Sequence, residues 1–319
     1  MSHFDIAIVG AGGAGLTAAI YAARALRSVV VFERSVTGGQ IATTDRVENY
    51  PGFPDGINGF ELGDAMRRQA EDHGAEFRYE EVVSLSSGDG GAWRVETAES
   101  AVTASALIVT AGADYNRLGV PGEKELTGRG VSYCATCDGA FFRGQEVAVV
   151  GGGNTAIDEA LFLTRFASKV HVIHRRDALR ADAILQERAF AEPAIDFTWD
   201  TVVESIGGVD VVDRLTLRNA RSSETSVMPV AGVFIFIGQT PNSHLLKGLV
   251  EMDEGGHALV DLEMRTSAEG IFVAGDLRTR AARQLVSAAG DGATAAISAE
   301  HYLAEHYGAP KPAPADVVG

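Results

Sequence analysis

Two cysteines three residues apart are the first feature of this sequence that could do chemistry. Cys134 and Cys137 are the only cysteines in the chain, and Asp138 follows them directly. A Cys-x-x-Cys turn can close a small disulfide ring and lower the pKa of one thiol. The adjacent carboxyl could carry the proton that cleavage of this disulfide requires. We therefore interpret Cys134, Cys137 and Asp138 as a redox-active dithiol with its acid–base group.

A metal site and a pair of buried bystander thiols are the two other interpretations of these cysteines. A structural zinc ion needs four ligands, commonly a second Cys or His pair. The next histidine after Cys137 is His171, 34 residues further on, so the ligand count predicts no metal site. Free cysteine often packs as a small hydrophobe, and the bystander interpretation stays open at this point.

A glycine-rich run near the start has the spacing of a dinucleotide-binding loop. An apolar stretch, Phe4–Val9, leads into Gly10, Gly12 and Gly15, and Glu33 follows at the end of the next β-branched stretch. In this context Gly10 makes the tight turn, Gly12 lets the backbone approach a pyrophosphate, and Gly15 allows close packing of helix on strand. Glu33 would accept a hydrogen bond from a ribose 2′-hydroxyl.

The same pattern recurs 141 residues later. The apolar stretch Glu146–Val150 leads into a second glycine run, a helix-like segment and the β-branched stretch Lys169–Ile173. The candidate nucleotide-binding residues of this run are Gly151, Gly153, Asn154, Thr155 and Ala156. The repeat predicts a second dinucleotide-binding unit.

Basic residues replace the carboxylate in this second unit. The position equivalent to Glu33 is His174, followed by Arg175, Arg176 and, one helical turn beyond, Arg180. A ribose 2′-phosphate would be repelled by a carboxylate and attracted by guanidinium groups, which can pair with it bidentately. The second nucleotide is therefore predicted to be NADPH rather than NADH; the alternative is a solvated basic patch.

Two nucleotide units and one dithiol define a path for electrons. A nicotinamide passes two electrons to a disulfide poorly without a flavin between them. The first unit is therefore predicted to hold FAD, and the second to hold NADPH.

The order of the buried strand patterns predicts how these groups are positioned. Each unit has a β-α-β beginning, which favours a parallel sheet and an α/β fold with two Rossmann-like domains. The stretches at 106–112 and 232–238 close the first and second units. A third, at 270–276, follows the second unit and is expected to return to the first sheet. We predict a domain formed by residues 1–113 plus 243–319, with residues 114–242 inserted in it and carrying the dithiol.

Composition and charge narrow the class of protein. The 319 residues carry 27 basic and 43 acidic side chains, a formal charge of −16. This balance argues against nucleic acid or an anionic membrane as the main partner, because either would need a basic face. The start of the chain lacks the basic residues of an export signal, and no apolar run reaches the length of a spanning helix, so we expect a cytoplasmic protein. The tail Pro310–Pro314 is expected to be frayed.

Several motifs together resemble the low-molecular-weight, bacterial-type thioredoxin reductases, which have the flavin disulfide reductase fold. The resemblance extends over about residues 4–305. It rests on Cys134-Ala-Thr-Cys137-Asp-Gly, Gly39-Gln40, Val47-Glu-Asn49-Tyr-Pro-Gly-Phe-Pro, His174-Arg-Arg-Asp-x-Leu-Arg180, Ala274-Gly-Asp276 and Arg283-Gln284-Leu285.

The resemblance implies a mechanism and further site residues. It implies that FAD is touched by residues matching Gly12, Glu33, Gln40, Asn49, Asp276 and Gln284. The thiol matching Cys137 would face the flavin, the thiol matching Cys134 would attack the thioredoxin disulfide, and Asp138 would give and take the proton. It further implies a homodimer in which the inserted domain rotates. The remaining candidate cofactor-binding residues are Gly39, Val83, Gly112, Ile237, Gly238, Arg283 and Leu285.

The sequence departs from the family pattern at three places. Gly13 stands where the family usually has proline, Asn154-Thr155 where Asp-Ser is common, and Ala282 where an aromatic residue often precedes the Arg-Gln pair.

An FAD-dependent dithiol oxidase that uses oxygen and a ferredoxin-fed thioredoxin reductase would share the fold, but the basic motif argues against both. A non-enzymatic flavoprotein would be expected to lack the dithiol or Asp138.

Overall fold

The computed structural model describes residues 2–44 and 46–309 of the chain. The strands are β1 (Ser2–Val9), β2 (Val29–Phe32), β3 (Glu76–Arg78), β4 (Val82–Ser87), β5 (Trp93–Thr97), β6 (Ala101–Val109), β7 (Ala113–Tyr115), β8 (Val131–Ser132), β9 (Glu146–Gly151), β10 (Lys169–Ile173), β11 (Ile195–Thr198), β12 (Thr201–Gly207), β13 (Arg214–Asn219), β14 (Thr225–Pro229), β15 (Gly232–Phe236), β16 (Gln239–Pro241) and β17 (Ile271–Val273). The α-helices are α1 (Gly13–Arg24), α2 (Gly59–Asp72), α3 (Ala135–Asp138), α4 (Asn154–Leu163), α5 (Ala183–Ala191) and α6 (Leu285–Tyr307). The tail Pro310–Pro314 lies outside the described residues.

Two compact units make up the chain. Unit 1 comprises the described residues of Met1–Asp114 and Thr240–Gly319, and unit 2 comprises Tyr115–Gln239. Unit 2 is thus inserted in the sequence of unit 1. The two connections carry β7 and β16, which pair as a two-stranded sheet.

A seven-stranded sheet forms the centre of unit 1. Its order is β3-β2-β1-β6-β5-β4, and β17 also pairs with β6. The pairings β1–β2, β1–β6, β2–β3 and β17–β6 are parallel, as expected of strands that are apolar on both faces. The place of β17 confirms that the third strand pattern returns to the first sheet. The antiparallel strands β4 and β5 extend the sheet.

Small residues let two helices of unit 1 pack closely. Both α1 and α6 are rich in buried alanine. A side chain at Gly292 of α6 would overlap the backbone of Ala14 in α1, and one at Gly15 would overlap the carbonyl of Gly10. The glycine loop is therefore held rigidly between sheet and helices.

Unit 2 has a five-stranded sheet in the order β11-β10-β9-β15-β8, in which the pairings are parallel. A separate antiparallel sheet has the order β12-β13-β14. The α/β fold class with two Rossmann-like units is confirmed.

Candidate active site

Cys134 and Cys137 form a disulfide at the start of α3. Their sulfurs are 2.12 Å apart and their Cα atoms 5.3 Å apart. Cys134 is the N-cap of α3, and its Sγ accepts a hydrogen bond of 3.2 Å from the backbone N–H of Cys137. An N–H directed at sulfur favours the thiolate over the thiol. Once the disulfide is reduced, this contact is expected to favour the thiolate form of Cys134.

Asp138 ends α3 beside the disulfide and is largely shielded from water. Burial raises the pKa of its carboxyl, and the hydrogen bond from Ser132 partly offsets that rise. Ser132 Oγ donates to Asp138 Oδ2 at 2.6 Å and accepts from the N–H of Cys134 at 3.1 Å. A raised pKa lets this carboxyl keep its proton to higher pH than an exposed aspartate does, which suits a proton donor. Ser132 thus links the carboxyl of Asp138 to the backbone N–H of Cys134.

A second carboxyl also lies against α3. Burial raises the pKa of Glu159, and the backbone N–H of Ala135 opposes this rise by hydrogen bonding to its carboxylate. Neither Ser132 nor Glu159 is singled out by the sequence, because no spacing rule connects them to the dithiol.

The first glycine loop has the form of a dinucleotide cradle. Gly10 adopts a φ of 103°, and a side chain there would run into the carbonyl of Thr110. A side chain at Gly12 would meet no atom within 4 Å, which leaves open space at the N-terminus of α1. Helix N-termini attract phosphate. Glu33 accepts hydrogen bonds from the N–H groups of Ala11 (2.8 Å) and Ser35 (2.9 Å), so its carboxylate lies at the loop. These residues fit a dinucleotide.

Other predicted residues of unit 1 lie close to this loop. Gly39 approaches Gly12, Leu285 packs against Gly13, and Asn49 donates to Gln284 Oε1 at 3.1 Å. Gln40 donates to the carbonyl of Ala113.

The remaining predicted residues of unit 1 differ in their surroundings. Burial raises the pKa of Asp276, and the positive charge of Arg283 opposes the rise. Gly112 has a φ of 67°. Val83 is 56% exposed on β4, at the end of the sheet order.

The second glycine loop repeats the open cradle. A side chain at Gly151 would overlap the neighbouring Phe236 carbonyl, whereas one at Gly153 would meet nothing within 4 Å. Asn154 and Asp182 exchange two hydrogen bonds, of 2.8 and 2.9 Å. Thr155 is exposed and Ala156 is buried. The residues of this loop also fit a dinucleotide.

The basic motif divides into an exposed part and a buried part. Arg175, Arg176 and Arg180 are exposed. His174 is only 5% exposed, its ring lies against Gly152, and burial lowers its pKa. The three arginines are thus available to an anion, while His174 is a neutral packing group of the loop. Its role in cofactor binding stays a prediction.

Further contacts hold the ends of this region in place. The N–H of Arg180 donates to the carbonyl of Gly152 at 2.7 Å, which ties the motif to the glycine loop. Arg221 pairs with Asp177 at 2.6 Å. Ile237 is 37% exposed, and Gly238 has a φ of 108°.

Comparisons with known proteins agree with this arrangement. Residues 4–293 match the family model described as pyridine nucleotide-disulphide oxidoreductase. A thioredoxin reductase from Streptomyces coelicolor is 48% identical over 302 residues, which is 94% of each chain. The crystal structure of thioredoxin reductase from Streptococcus pyogenes superposes with a TM-score of 0.91 at 45% identity, covering 95% of this chain and 99% of that one.

This chain belongs to the thioredoxin reductases of the pyridine nucleotide-disulphide oxidoreductase family. A further relative, from Mycobacterium leprae, is named bifunctional thioredoxin reductase/thioredoxin and is 49% identical over 95% of this chain and 67% of the relative. The chain is therefore an oxidoreductase of a flavoprotein family with a redox disulfide, and membership implies the use of flavin and NADPH. The dithiol oxidase and the ferredoxin-fed reductase are not favoured.

Membrane-spanning helices and metal-binding clusters are both absent from residues 2–44 and 46–309. No helix there is both long and apolar enough to cross a membrane. In the same part of the chain, no group of three or more His, Cys, Asp or Glu side chains is placed to hold a metal ion.

Proposed function

We propose that this thioredoxin reductase transfers electrons from NADPH through FAD to the Cys134–Cys137 disulfide, and from the resulting dithiol to the disulfide of thioredoxin. The observation that carries the proposal is the disulfide beside a shielded acid, Asp138, in a chain with two open glycine loops. A carboxylate lies beside the first loop and guanidinium groups lie beside the second, which supports different nucleotides for the two loops.

Glu33 and the arginines support this assignment of cofactors. The Glu33 carboxylate, held by two backbone N–H groups at the first loop, suits the ribose of FAD. The exposed Arg175, Arg176 and Arg180 suit the 2′-phosphate of NADPH. Residues 1–113 plus 243–319 would then bind FAD, and residues 114–242 would bind NADPH. When bound, the flavin supplies a two-electron link between nicotinamide and disulfide.

The chain's own residues carry out the exchange with thioredoxin. The Cys134 thiolate attacks one sulfur of the thioredoxin disulfide, so that a mixed disulfide forms and a thioredoxin thiolate leaves. Asp138 donates the proton that this leaving thiolate takes up. Cys137 then gives its proton to the ionised Asp138 carboxylate and attacks Cys134 Sγ; the second thioredoxin sulfur leaves, takes up that proton from Asp138, and the enzyme disulfide is restored. Two electrons pass to thioredoxin, which gains two thiols.

Partner, assembly and location are part of the proposal. The name of the Mycobacterium leprae relative combines thioredoxin reductase with thioredoxin, which supports thioredoxin as the substrate of this chain. The family resemblance supports a homodimer. A cysteine pair used for redox exchange suits the reducing cytoplasm.

Anaerobic absorbance measurements test the proposed function. NADPH should bleach the flavin absorbance of the purified holoenzyme rapidly, NADH should do so poorly, and oxidised thioredoxin should restore the absorbance. A chain that NADPH does not bleach, but that oxidises dithiols when oxygen is admitted, would instead be a dithiol oxidase.

A further inference from the structure

Glu123 is a buried acid that the exchange described above does not use. It is 3% exposed, and its carboxylate accepts three hydrogen bonds. These come from the N–H of Leu118 (2.9 Å), the N–H of Gly119 (2.7 Å) and the hydroxyl of Tyr133 (2.8 Å). All three donors belong to unit 2, and together they satisfy the hydrogen-bonding needs of a buried carboxylate. Glu123 thereby joins residues 118–119 to the residue that precedes Cys134.

Tyr133 has a second attachment to the beginning of unit 2. Its ring stacks on that of Tyr115, with centroids 5.1 Å apart and planes 20° apart. Burial, followed by the bond to Glu123, raises the pKa of Tyr133, and the positive charge of Arg117 opposes the rise. The hydroxyl therefore stays protonated and keeps donating to Glu123 across the working pH range.

The neighbours of Tyr133 face the dithiol. Ser132 ends β8, and Cys134 is also extended, with a φ of −145° and a ψ of 103°. Successive side chains of an extended segment point to opposite sides. While Tyr133 reaches Glu123, Ser132 Oγ bonds both Asp138 and the N–H of Cys134. The bond between Tyr133 and Glu123 on one side of residues 132–134 thus fixes the contacts of Ser132 and Cys134 on the other side.

We propose that Glu123 and Tyr133 are positioning residues for the dithiol. They hold the backbone of residues 132–134 so that Ser132 stays on Asp138 and Cys134 stays at the cap of α3. Neither residue touches the reacting sulfurs. The part of this inference that concerns thioredoxin rests on the proposed function, whereas the part that concerns the Cys134 thiol does not.

Loosening this anchor should have a chemical signature. Without it, the N–H of Cys137 no longer faces Cys134 Sγ in fixed geometry, and the thiolate loses stabilisation. The midpoint pH of Cys134 ionisation should then rise by about 0.5 to 1 unit, the size expected for one net hydrogen bond. A residue that only stabilises the fold would lower the melting temperature without moving this midpoint.

Alkylation of the reduced holoenzyme measures that midpoint without NADPH or thioredoxin. The enzyme is reduced with dithiothreitol and desalted, and the rate at which iodoacetamide modifies Cys134 is followed against pH by peptide mass spectrometry. The variants are Tyr133→Phe, which keeps the ring stack and removes the hydroxyl, and Glu123→Gln. The matched controls are Tyr79→Phe and Glu125→Gln, whose wild-type side chains are exposed.

A double-mutant cycle then tests the path through Ser132. Ser132→Ala should shift the midpoint that reports Asp138 in the pH profile of thioredoxin reduction. Tyr133→Phe should add little to the shift of that midpoint in the Ser132→Ala background, because both changes act on the bond between Ser132 and Asp138. In the controls Tyr79→Phe and Glu125→Gln, reduction of the flavin by NADPH should remain at the wild-type rate.

The outcomes separate this inference from the proposed function. A raised alkylation midpoint in Tyr133→Phe and Glu123→Gln, with the controls unchanged, supports the positioning role even if the wild-type enzyme does not reduce thioredoxin. An alkylation midpoint equal to that of wild type in a folded Tyr133→Phe enzyme would overturn the inference. The inference would also be overturned if Tyr133→Phe shifted the Asp138 midpoint equally in the presence and in the absence of Ser132. If Glu123→Gln fails to fold, Tyr133→Phe alone decides.

Discussion

Ser132 Oγ donates a hydrogen bond of 2.6 Å to Asp138 Oδ2 while accepting one from the N–H of Cys134. A single hydroxyl thus contacts both the proposed proton carrier and the backbone of the proposed nucleophile. Its donation favours the ionised form of Asp138, whereas burial favours the protonated form. The balance between these two effects sets the pH range in which the acid can work.

Ser132→Ala should raise the pKa of Asp138 further, because the bond that favours its carboxylate is removed and the burial remains. The midpoint in the pH profile of thioredoxin reduction that reports Asp138 should therefore move to higher pH. A shift of about 0.5 to 1 unit corresponds to the loss of one net hydrogen bond. Ser226→Ala, at an exposed position of β14, is a control. An unchanged or acid-shifted profile would show that Ser132 does not tune Asp138.

Asp138→Asn should slow thioredoxin reduction by about 10²–10⁴-fold, the usual contribution of a general acid–base group. Reduction of the flavin by NADPH should change little, because it precedes the exchange. Stopped-flow measurement of each half-reaction distinguishes the two steps. Equal slowing of both would place Asp138 in a purely structural role.

The same substitution should change the pH dependence of stability in a defined direction. The folded enzyme raises the pKa of Asp138 above its ordinary value of 3.8. Ionisation of Asp138 is therefore harder in the folded state, and its contribution to stability falls as pH rises from that value through the raised pKa. The melting temperature of Asp138→Asn relative to wild type should accordingly be higher at pH 7.5 than at pH 4.5.

The elements that carry the glycine loops can be predicted from sequence because their signals are local. Apolar β-branched runs ending in glycine locate the strands β1, β9 and β15, and the β-branched run before His174 locates β10. The strands of the antiparallel sheet β12-β13-β14 are not predicted. They alternate polar and apolar residues over only five to seven positions, a weak signal next to continuous apolar runs.

The positioning contacts of the site cannot be predicted from sequence for a different reason. Glu123 and Tyr133 are ten residues apart, in a segment without helix or strand periodicity, and meet only because residues 118–133 fold back. His174 occupies the specificity position by register, yet the structure buries its ring against Gly152. Register locates a backbone position and does not determine whether the side chain faces ligand or core.

Replacing Arg175 and Arg176 together with Ala should weaken NADPH binding by two orders of magnitude or more, since charge-assisted hydrogen bonds contribute about 1.5–3 kcal/mol each. NADH lacks the 2′-phosphate and should be little affected. Dissociation constants measured for both nucleotides check this. Arg218→Ala is a matched control, because its guanidinium pairs with Glu204 on the antiparallel sheet. Similar losses for NADPH and NADH would refute the assignment.

Glu33→Ala should weaken retention of FAD without altering the preference for NADPH over NADH. The carboxylate also accepts from the N–H groups of Ala11 and Ser35, so its removal loosens the loop as well as the proposed ribose contact. Flavin content after dialysis measures retention, and the exposed Glu99→Ala is the control. Full retention of flavin together with a changed nucleotide preference would mean that the two cofactor assignments are reversed.

The two cysteines should differ in which one traps thioredoxin. Cys134 Sγ receives the N–H of Cys137, an arrangement that stabilises a thiolate on Cys134. In Cys137→Ser the resolving thiol is missing, and Cys134 should accumulate a mixed disulfide with oxidised thioredoxin. Because this substitution leaves the backbone N–H at position 137 in place, the contact at Cys134 survives in that variant.

In Cys134→Ser no stable adduct is expected, even though Cys137 is the more exposed of the two residues. Exposure alone would favour attack by Cys137, whereas the N-cap favours attack by Cys134, so the two variants decide between access and thiolate stabilisation. A non-reducing gel after incubation of each variant with oxidised thioredoxin gives the answer. An adduct formed by the Cys134→Ser enzyme alone would reverse the assigned roles and show that access dominates at this site.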